Sequence, residues 1–467
     1  MLTYDLTTLS GPVYKRIYEL IKRDVEAGEL TANSKLPSKR AFAKNLGVSV
    51  ITVENAYGQL VGEGYVYSRP KRGYFVSEME APKKTRLFSK TPISSIFPQE
   101  APSADFDFSS NQAEPEHFPF SIWSKLMRET MAFRKHDLLT VPHRFGVDEL
   151  REAIANHLAS FRGMRVDPQQ IVVGAGAEYL YGLLIKLLGV DLVYCIENPG
   201  YLKIKKIYES AGATCRSAEM DLHGIIVDEL KRMNVQVVHI SPTHHFPTGI
   251  TTPVSRRYEL LAWANEQDDR FIIEDDYDSE FRLNGRPIPS LQSIDVNEKV
   301  VYLNTFSKSL TSTIRISYMA LPVRLAKRFY QKLSFYSNAV STFEQYTLAA
   351  FIRRGFFEKH INRMRLHYVK KRAIILKMIE ERLPRDCYRI IENDSGLHFL
   401  LQLETSLSTK DVIEKLREQK IKIKAISDYD AIAKRNDLRQ FIVNYSNMKL
   451  EGLEHALDVI RKTIDAQ

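Results

Sequence analysis

A lysine and an arginine lie close together in a segment with several hydroxyl side chains, just after an apolar run. Lys308 stands in the sequence TFSKS, and Arg315 follows seven residues later. A lysine amine can form a Schiff base with an aldehyde, and a guanidinium flanked by hydroxyls can bind phosphate through charge-assisted hydrogen bonds. We therefore predict that Lys308 forms a Schiff base and that Thr305, Ser307 and Arg315 bind a phosphate group.

An acidic segment follows the apolar run Phe271–Ile273, in the sequence IIEDDYDSEF. In α/β sheets, ligands bind at the carboxyl ends of the strands. We predict that Asp275 pairs with a protonated ring nitrogen and that Tyr277 donates to a phenolate oxygen. The alternative is an acidic loop in solvent.

A glycine-rich turn precedes a helical pattern in GAGAE, where Gly176, Ala177 and Glu178 can offer backbone N–H groups to a phosphate. Tyr201, at the end of another strand pattern, can stack on a flat ring. A Schiff-base lysine, a ring acid, a phosphate cradle and a stacking side chain are what pyridoxal 5′-phosphate (PLP) requires of a protein. The sequence thus predicts PLP as cofactor.

A second set of candidates lies near the N-terminus. Ser38 and Ser49 are placed to cap helices over 39–45 and 50–63, with Gly47 between them, and two aromatic segments then flank a basic hairpin tip at 69–73. A helix-turn-helix places its second helix in the major groove. The predicted contacts to double-stranded DNA lie at the turn, on the two helices and at the tip: Ser38, Lys39, Arg40, Lys44, Ser49, Thr52, Asn55, Tyr57, Lys71 and Arg72. A winged helix used for protein contacts is the alternative.

The chain as a whole fits this division. It has 467 residues and a net charge of +9, which suits a polyanionic partner. We predict a DNA-binding domain over 1–77, a linker rich in Pro, Ser and Lys over 78–104, and an effector domain over 105–467. Strand and helix patterns alternate in the last of these, which indicates an α/β domain with a mostly parallel sheet and a smaller C-terminal α+β part. The predicted strands are 171–173, 190–195, 235–240, 271–273, 300–303, 398–403 and 441–445.

Several features favour a cytoplasmic protein that does not enter a membrane. The most apolar stretch is interrupted by Lys186 and Asp191. We expect no secretory signal, because the first residues lack a basic region followed by an apolar block. Three cysteines without CxxC spacing favour reduced thiols. Adjacent residues on an extended chain point opposite ways, so His244 and His245 make a poor metal pair and we predict no metal site.

The N-terminal segment LPSKRAFAKNLGVSVITVENAYGQLVGEGYV, followed by KRGYFV, resembles the GntR class of winged-helix regulators. SPTHHFPTG, IIEDDYDSEF and TFSKSL with RISYM resemble the MocR branch of that class, whose second domain is similar to fold type I aminotransferases. The resemblance implies a homodimeric transcription regulator that binds PLP.

The chain departs from this pattern at several positions. Val50 and Glu54 stand where the class has arginines, and Phe246 stands where aminotransferases have an asparagine against the phenolate oxygen. Amino-acid-sensing relatives carry two further arginines. Their places hold Leu202-Lys203 and Asp428, so an effector carboxylate would meet a negative charge.

Three interpretations follow. The first is a PLP-dependent regulator whose effector is PLP itself, as the absent arginines favour and as in PdxR-type regulators of vitamin B6 synthesis, or an amino compound. The second is a working aminotransferase with an appended DNA-binding domain, for which we expect only slow transamination half-reactions. The third is a fold type I domain that no longer binds PLP, which the intact Lys308 disfavours.

Overall fold

The computed structural model describes residues 2–6, 11–79, 104–283, 288–391, 396–432 and 437–465. The chain divides into two compact units, 1–101 and 102–467. Most of the predicted linker lies outside the described residues, so its limits stay a prediction.

The first unit is a small helical domain with a β-hairpin. Its elements are α1 (Val13–Glu26), α2 (Lys39–Leu46), α3 (Val50–Gly62), β1 (Val66–Arg69) and β2 (Gly73–Val76). Both predicted caps are confirmed, because the Ser38 side chain accepts from the backbone N–H of Ala41 and the Ser49 side chain accepts from that of Thr52. Gly47 ends α2 in the left-handed conformation, at φ 67°, which lets the chain turn into α3.

The core of this unit is formed by side chains at helical spacing. Val53, Ala56, Tyr57 and Leu60 of α3 are fully buried against α1 and α2. Tyr57 packs on Phe42, with ring centroids 6.0 Å apart. The face of α3 opposite this stripe is therefore left for contacts outside the unit.

The second unit begins with a short strand and a helical segment, and continues as alternating strands and helices. These elements are β3 (Phe106–Asp107), α4 (Phe120–Phe133), α5 (Lys135–Leu139), α6 (Asp148–Arg162), β4 (Ile171–Gly174), α7 (Ala177–Leu188), β5 (Val193–Asn198), α8 (Leu202–Ser210), β6 (Thr214–Asp221), β7 (Gly224–Ile225), α9 (Val227–Arg232), β8 (Val237–Ile240), α10 (Val254–Asn265), β9 (Phe271–Asp275), β10 (Val300–Thr305), α11 (Phe306–Ser309) and β11 (Ser317–Ala320).

Among the described residues the large sheet has eight strands, in the order β4-β11-β10-β9-β8-β5-β6-β7. The pairs from β10 through β6 are parallel, and β11 is antiparallel to both its neighbours. The predicted mostly parallel α/β sheet is confirmed, although the sequence analysis did not predict β6, β7 or β11. Because β10, β9, β8 and β5 run in one direction, the segments after them meet at one edge.

Two helices follow that pack against helices of the large-sheet part: α12 (Val323–Leu333) lies against α7, and α13 (Thr342–Arg353) lies against α6 and α4. The rest of the chain forms the smaller α+β part. Its elements are α14 (Phe356–Arg382), β12 (Tyr388–Ile391), β13 (His398–Leu403), α15 (Thr409–Glu418), β14 (Ile421–Lys422), β15 (Lys424–Ala425), β16 (Gln440–Asn444) and α16 (Leu453–Asp465). β12, β13, β16 and β15 form an antiparallel sheet, and β14 pairs with β3. This pairing ties the start of the second unit to its C-terminal part. None of the described helices is both long enough and apolar enough to cross a membrane.

Candidate cofactor site and DNA-binding surface

A cavity of about 350 Å³ opens at the edge of the large sheet where β5, β8 and β9 end. Four of the predicted site residues line it, namely Tyr201, Asp275, Tyr277 and Lys308. The strand ends bring them together, since Asp275 is the last residue of β9 and Lys308 follows β10.

Lys308 points into this cavity from the single turn α11. Its Nζ donates a hydrogen bond to the backbone carbonyl of Asn111, which also lines the cavity. Burial lowers the pKa of Lys308 to about 8, and the carboxylate of Asp278 opposes this effect. At physiological pH the neutral fraction of the Lys308 amine is therefore larger than that of an ordinary lysine.

Asp275 is held by side chains from two other elements. The Tyr181 hydroxyl donates to its carboxylate over 2.5 Å, and Nε2 of His239 lies 3.3 Å from the same oxygen. The other ring nitrogen of His239 lies 2.7 Å from the Tyr208 hydroxyl. Burial raises the pKa of Tyr181, so this hydroxyl keeps its proton and remains a donor. Asp275 thus has a fixed orientation toward the cavity.

The acidic segment around Asp275 is buried, and the alternative of a solvated acidic loop is wrong. Asp276 forms an ion pair with Arg162 at 2.8 Å, and both side chains are only 1% exposed. Tyr302 donates to the same carboxylate over 2.6 Å. Asp276 therefore stabilises the layer beneath the cavity and leaves Asp275 to face the ligand.

Tyr277 and His245 line the side of the cavity, and His244 contacts Tyr277. Nδ1 of His244 lies 3.3 Å from the Tyr277 hydroxyl and 2.8 Å from Asp278. His245 instead contacts Thr248, at 2.7 Å. The histidines thus engage different partners. Burial raises the pKa of Tyr277, so its hydroxyl is available as a donor.

The remaining predicted cofactor ligands lie just after β4, around the end of β10 and just before β11, the strand between those two in the sheet. Gly176 has a φ of 95°, and a Cβ added there would lie 2.5 Å from a terminal nitrogen of Arg315. Thr305 accepts from the backbone N–H of Ser307, and the Ser307 hydroxyl is buried without a hydrogen-bond partner among the described residues. An unpaired buried hydroxyl is costly unless a ligand completes it. Together with the N-terminus of α7, these groups fit a phosphate.

Ala177 and Glu178 begin α7 beside this cradle. The Glu178 carboxylate pairs with Lys203 at 2.6 Å. The predicted phosphate contact of Glu178 is therefore left to its backbone N–H.

At the cavity mouth, Tyr201, Phe246 and Tyr429 form an aromatic lining that Lys424 joins. Asp428 is exposed and its carboxylate accepts from the backbone N–H of Ala425, because the turn Ile426–Tyr429 directs it away. The prediction that Asp428 meets an effector carboxylate is therefore wrong. The charged side chain in the lining at this place is the cation Lys424.

Several other residues that line the cavity were not predicted from the sequence. They come from segments without a recognisable local motif: Ser109, Asn111, Tyr181, Glu197, His239, Lys424 and Tyr429. Burial raises the pKa of Glu197 to about 8. An aromatic residue such as Tyr181, a few positions after a glycine-rich turn, gives no signal of its own, and only the folded sheet brings Tyr181 to Asp275.

In the first unit, most predicted DNA contacts lie on the surface. Arg40, Lys44, Asn55, Lys71 and Arg72 are exposed, as are the capping residues Ser38 and Ser49, whereas Lys39 and Thr52 are half-buried.

Two details modify the predicted DNA-binding set. The Lys39 ammonium pairs with Glu54 of α3 at 2.5 Å, so their charges offset each other. Tyr57 is fully buried and its hydroxyl donates to the Pro37 carbonyl over 3.0 Å. The prediction that Tyr57 contacts DNA is wrong, because it lies on the core stripe of α3.

Comparison with known proteins gives a consistent result. The family described as bacterial regulatory proteins, gntR family, matches residues 13–76, and the family described as aminotransferase class I and II matches residues 104–460. The chain is 38% identical over 421 residues to the HTH-type transcriptional regulator YdeL of Bacillus subtilis, covering 90% of each chain.

More distant relatives match over most of both chains. The chain is 30% identical to the probable rhizopine catabolism regulatory protein MocR of Rhizobium meliloti, covering 85% of this chain and 83% of the relative. It is 29% identical to the pyridoxine biosynthesis transcriptional regulator PdxR of Corynebacterium glutamicum, covering 89% and 88%. Among solved structures, an archaeal alanine:glyoxylate aminotransferase matches with a TM-score of 0.68 at 23% identity, covering 78% of this chain and 91% of that one. The structural likeness establishes the fold.

Proposed function

Because the chain belongs to the MocR-type helix-turn-helix transcription regulators, which join a GntR domain to an aminotransferase-like domain, we propose that it binds a DNA operator and senses a small molecule through PLP held at Lys308. The observation that carries this proposal is the cavity at the ends of β5, β8 and β9. It combines a partly neutral amine, an oriented carboxylate and an adjacent anion cradle.

Each part of the cofactor has a suitable partner. When bound, PLP supplies an aldehyde carbon that reacts with amines and a ring that withdraws electrons. Asp275 would hold a proton at the ring nitrogen, with Tyr181 and His239 fixing its carboxylate. Ser307, Arg315 and the N-terminus of α7 would hold the phosphate.

The effector is either PLP itself or an amino compound. The relative PdxR, named for pyridoxine biosynthesis, supports PLP as the effector. Lys424, at the aromatic mouth, supports an amino compound with a carboxylate, because its ammonium lies 5.7 Å from the Tyr429 ring on the cavity side. The two classes predict different titrations, as described below.

A working aminotransferase is the second candidate, and Lys424 is the observation that favours it. A single flexible ammonium holds a carboxylate less rigidly than a bidentate guanidinium does. We therefore expect slow half-reactions rather than sustained turnover. Steady transamination at ordinary enzyme rates, about 1–1000 per second, would contradict this expectation.

We also infer a homodimer. Phe133, Leu139 and Val141 are large apolar side chains that the second unit exposes within one short stretch of chain. Several large apolar side chains left exposed on one stretch of chain support an interface with another protein chain. Light scattering of the full chain should give twice the mass of 53.8 kDa.

The test uses the full chain stripped of cofactor. Adding PLP should produce a visible absorption band in the wild type that is absent in Lys308→Ala and retained in Lys332→Ala, which removes an exposed lysine of α12. Operator affinity is then measured with no addition, with PLP, and with PLP plus individual amino acids. A change on adding PLP alone identifies PLP as the effector, whereas a change only with an amino acid identifies the second class. A colourless protein, or operator affinity that no addition alters, would contradict the proposal.

A further inference from the structure

The first turn of α3 exposes two large apolar side chains. Val50 is 40% exposed and Ile51 is 69% exposed, although the next apolar residue of the helix, Val53, is fully buried. The buried stripe of α3 begins at Val53, so the fold of the unit does not require a large apolar residue at position 51. An isolated exposed apolar residue needs no explanation. Val50 and Ile51, however, lie together at the start of the second helix of the helix-turn-helix, where a functional role is expected.

The polar side chains around this pair are engaged with one another. The Ser49 and Thr52 hydroxyls lie 2.8 Å apart, and the Ser49 oxygen also accepts from the Thr52 backbone N–H over 3.1 Å. Glu54, one turn along the helix, pairs with Lys39. Methyl groups therefore make up much of what the start of α3 presents to a partner.

In a helix-turn-helix, the N-terminal residues of the second helix contact base edges in the major groove. Thymine is the base that presents a methyl group there, and apolar side chains recognise it by contact. Arg40 and Lys44 are exposed on α2, the helix that packs against α3, and such cations suit backbone phosphates, which favours a duplex over a protein partner.

We propose that Val50 and Ile51 form a thymine-methyl subsite in the major groove, so that the operator carries thymines where α3 enters. This inference rests on the proposed DNA binding and specifies which base the helix recognises. In the bound complex, the Lys39–Glu54 pair keeps the carboxylate of Glu54 from repelling the phosphates.

The test first selects a duplex from a random library with the full chain. Each thymine of the selected operator is then replaced by uracil, which removes only the C5 methyl group, and affinity is measured by fluorescence anisotropy. We expect at least one thymine per half-site at which uracil weakens binding about fourfold, the contribution of one buried methyl group.

Variants assign the effect to the two side chains. Ile51→Ala and Val50→Ala should bind more weakly and lose most of the thymine–uracil difference, with unchanged thermal unfolding because both residues are exposed. Lys71→Ala, at the hairpin tip, is the matched control: it should weaken both duplexes equally and keep their ratio.

The possible outcomes distinguish failure of the proposed DNA binding from failure of the thymine-methyl subsite. A selection that returns no duplex would overturn the proposed DNA binding and this inference together. A selected duplex that tolerates uracil at every thymine would overturn the inference alone. So would a thymine–uracil difference that persists in both alanine variants.

Discussion

Attachment of PLP to the cofactor-free chain should follow the protonation of Lys308. Burial lowers the pKa of this amine from 10.5 to about 8. At pH 7, a pKa of about 8 leaves roughly one amine in ten neutral, whereas 10.5 leaves roughly one in three thousand. The buried site thus raises the reactive fraction about 300-fold at neutral pH.

The assay mixes the stripped chain with PLP and follows visible absorption from about pH 6 to about pH 10. At each pH the rate constant is divided by that of a free alkylamine. This ratio should fall as the pH rises above about 8, because Lys308 is then already mostly neutral while the neutral fraction of the free amine still increases. Lys332→Ala should give the same profile as the wild type.

A second variant tests the electrostatic contribution that opposes the lowered pKa of Lys308. The carboxylate of Asp278 raises the pKa of Lys308, so Asp278→Asn should move the midpoint of the profile to lower pH. A wild-type rate that parallels the free amine over the whole range would refute the argument from burial. A midpoint that moves to higher pH in Asp278→Asn would refute the electrostatic part of it.

Three other changes address the packing beneath and beside the sites. Arg162→Met leaves the buried Asp276 carboxylate without its partner and should cost about 3–5 kcal/mol in urea unfolding, part of which Asp276→Asn should restore in the same chain. Tyr57→Ala should lower the free energy of unfolding of the first unit by about 3–5 kcal/mol, whereas Asn55→Ala, on the exposed face of the same helix, should change it by less than about 0.5 kcal/mol. Gly176→Ala places a methyl group against the neighbouring guanidinium and should weaken PLP binding about tenfold by absorption titration, with no effect on operator affinity of the cofactor-free chain. Equal stability of the two variants of α3, or unaltered PLP affinity in Gly176→Ala, would contradict these assignments.

The sequence predicted those parts of the site that depend on neighbours along the chain. Asp275 ends one apolar strand and Lys308 lies in the turn after the next, and a parallel sheet brings such positions to one edge. The capping roles of Ser38 and Ser49 also depend on residues three positions away. Local chemistry was sufficient for both predictions.

The parts that were missed or wrong depend on geometry that a single segment does not encode. Tyr181 and His239 reach Asp275 from different elements, and only the strand order makes them neighbours. Asp428 was misplaced because one short turn decides whether it or Lys424 faces the cavity. Tyr57 could have been placed correctly, because its spacing from Val53 marks it as part of a helical core stripe.

The hydrogen bond from Lys308 to the Asn111 carbonyl has a consequence for signalling. A group bound to the Lys308 nitrogen removes a hydrogen-bond donor from the backbone carbonyl of half-buried Asn111. That carbonyl must then bind another donor or move. Asn111 lies in the first described stretch after the segment that leads, in sequence, from the helix-turn-helix unit. A change at the Lys308 amine therefore acts directly on the backbone of Asn111, near the N-terminal end of the second unit in sequence, without a relay through the sheet.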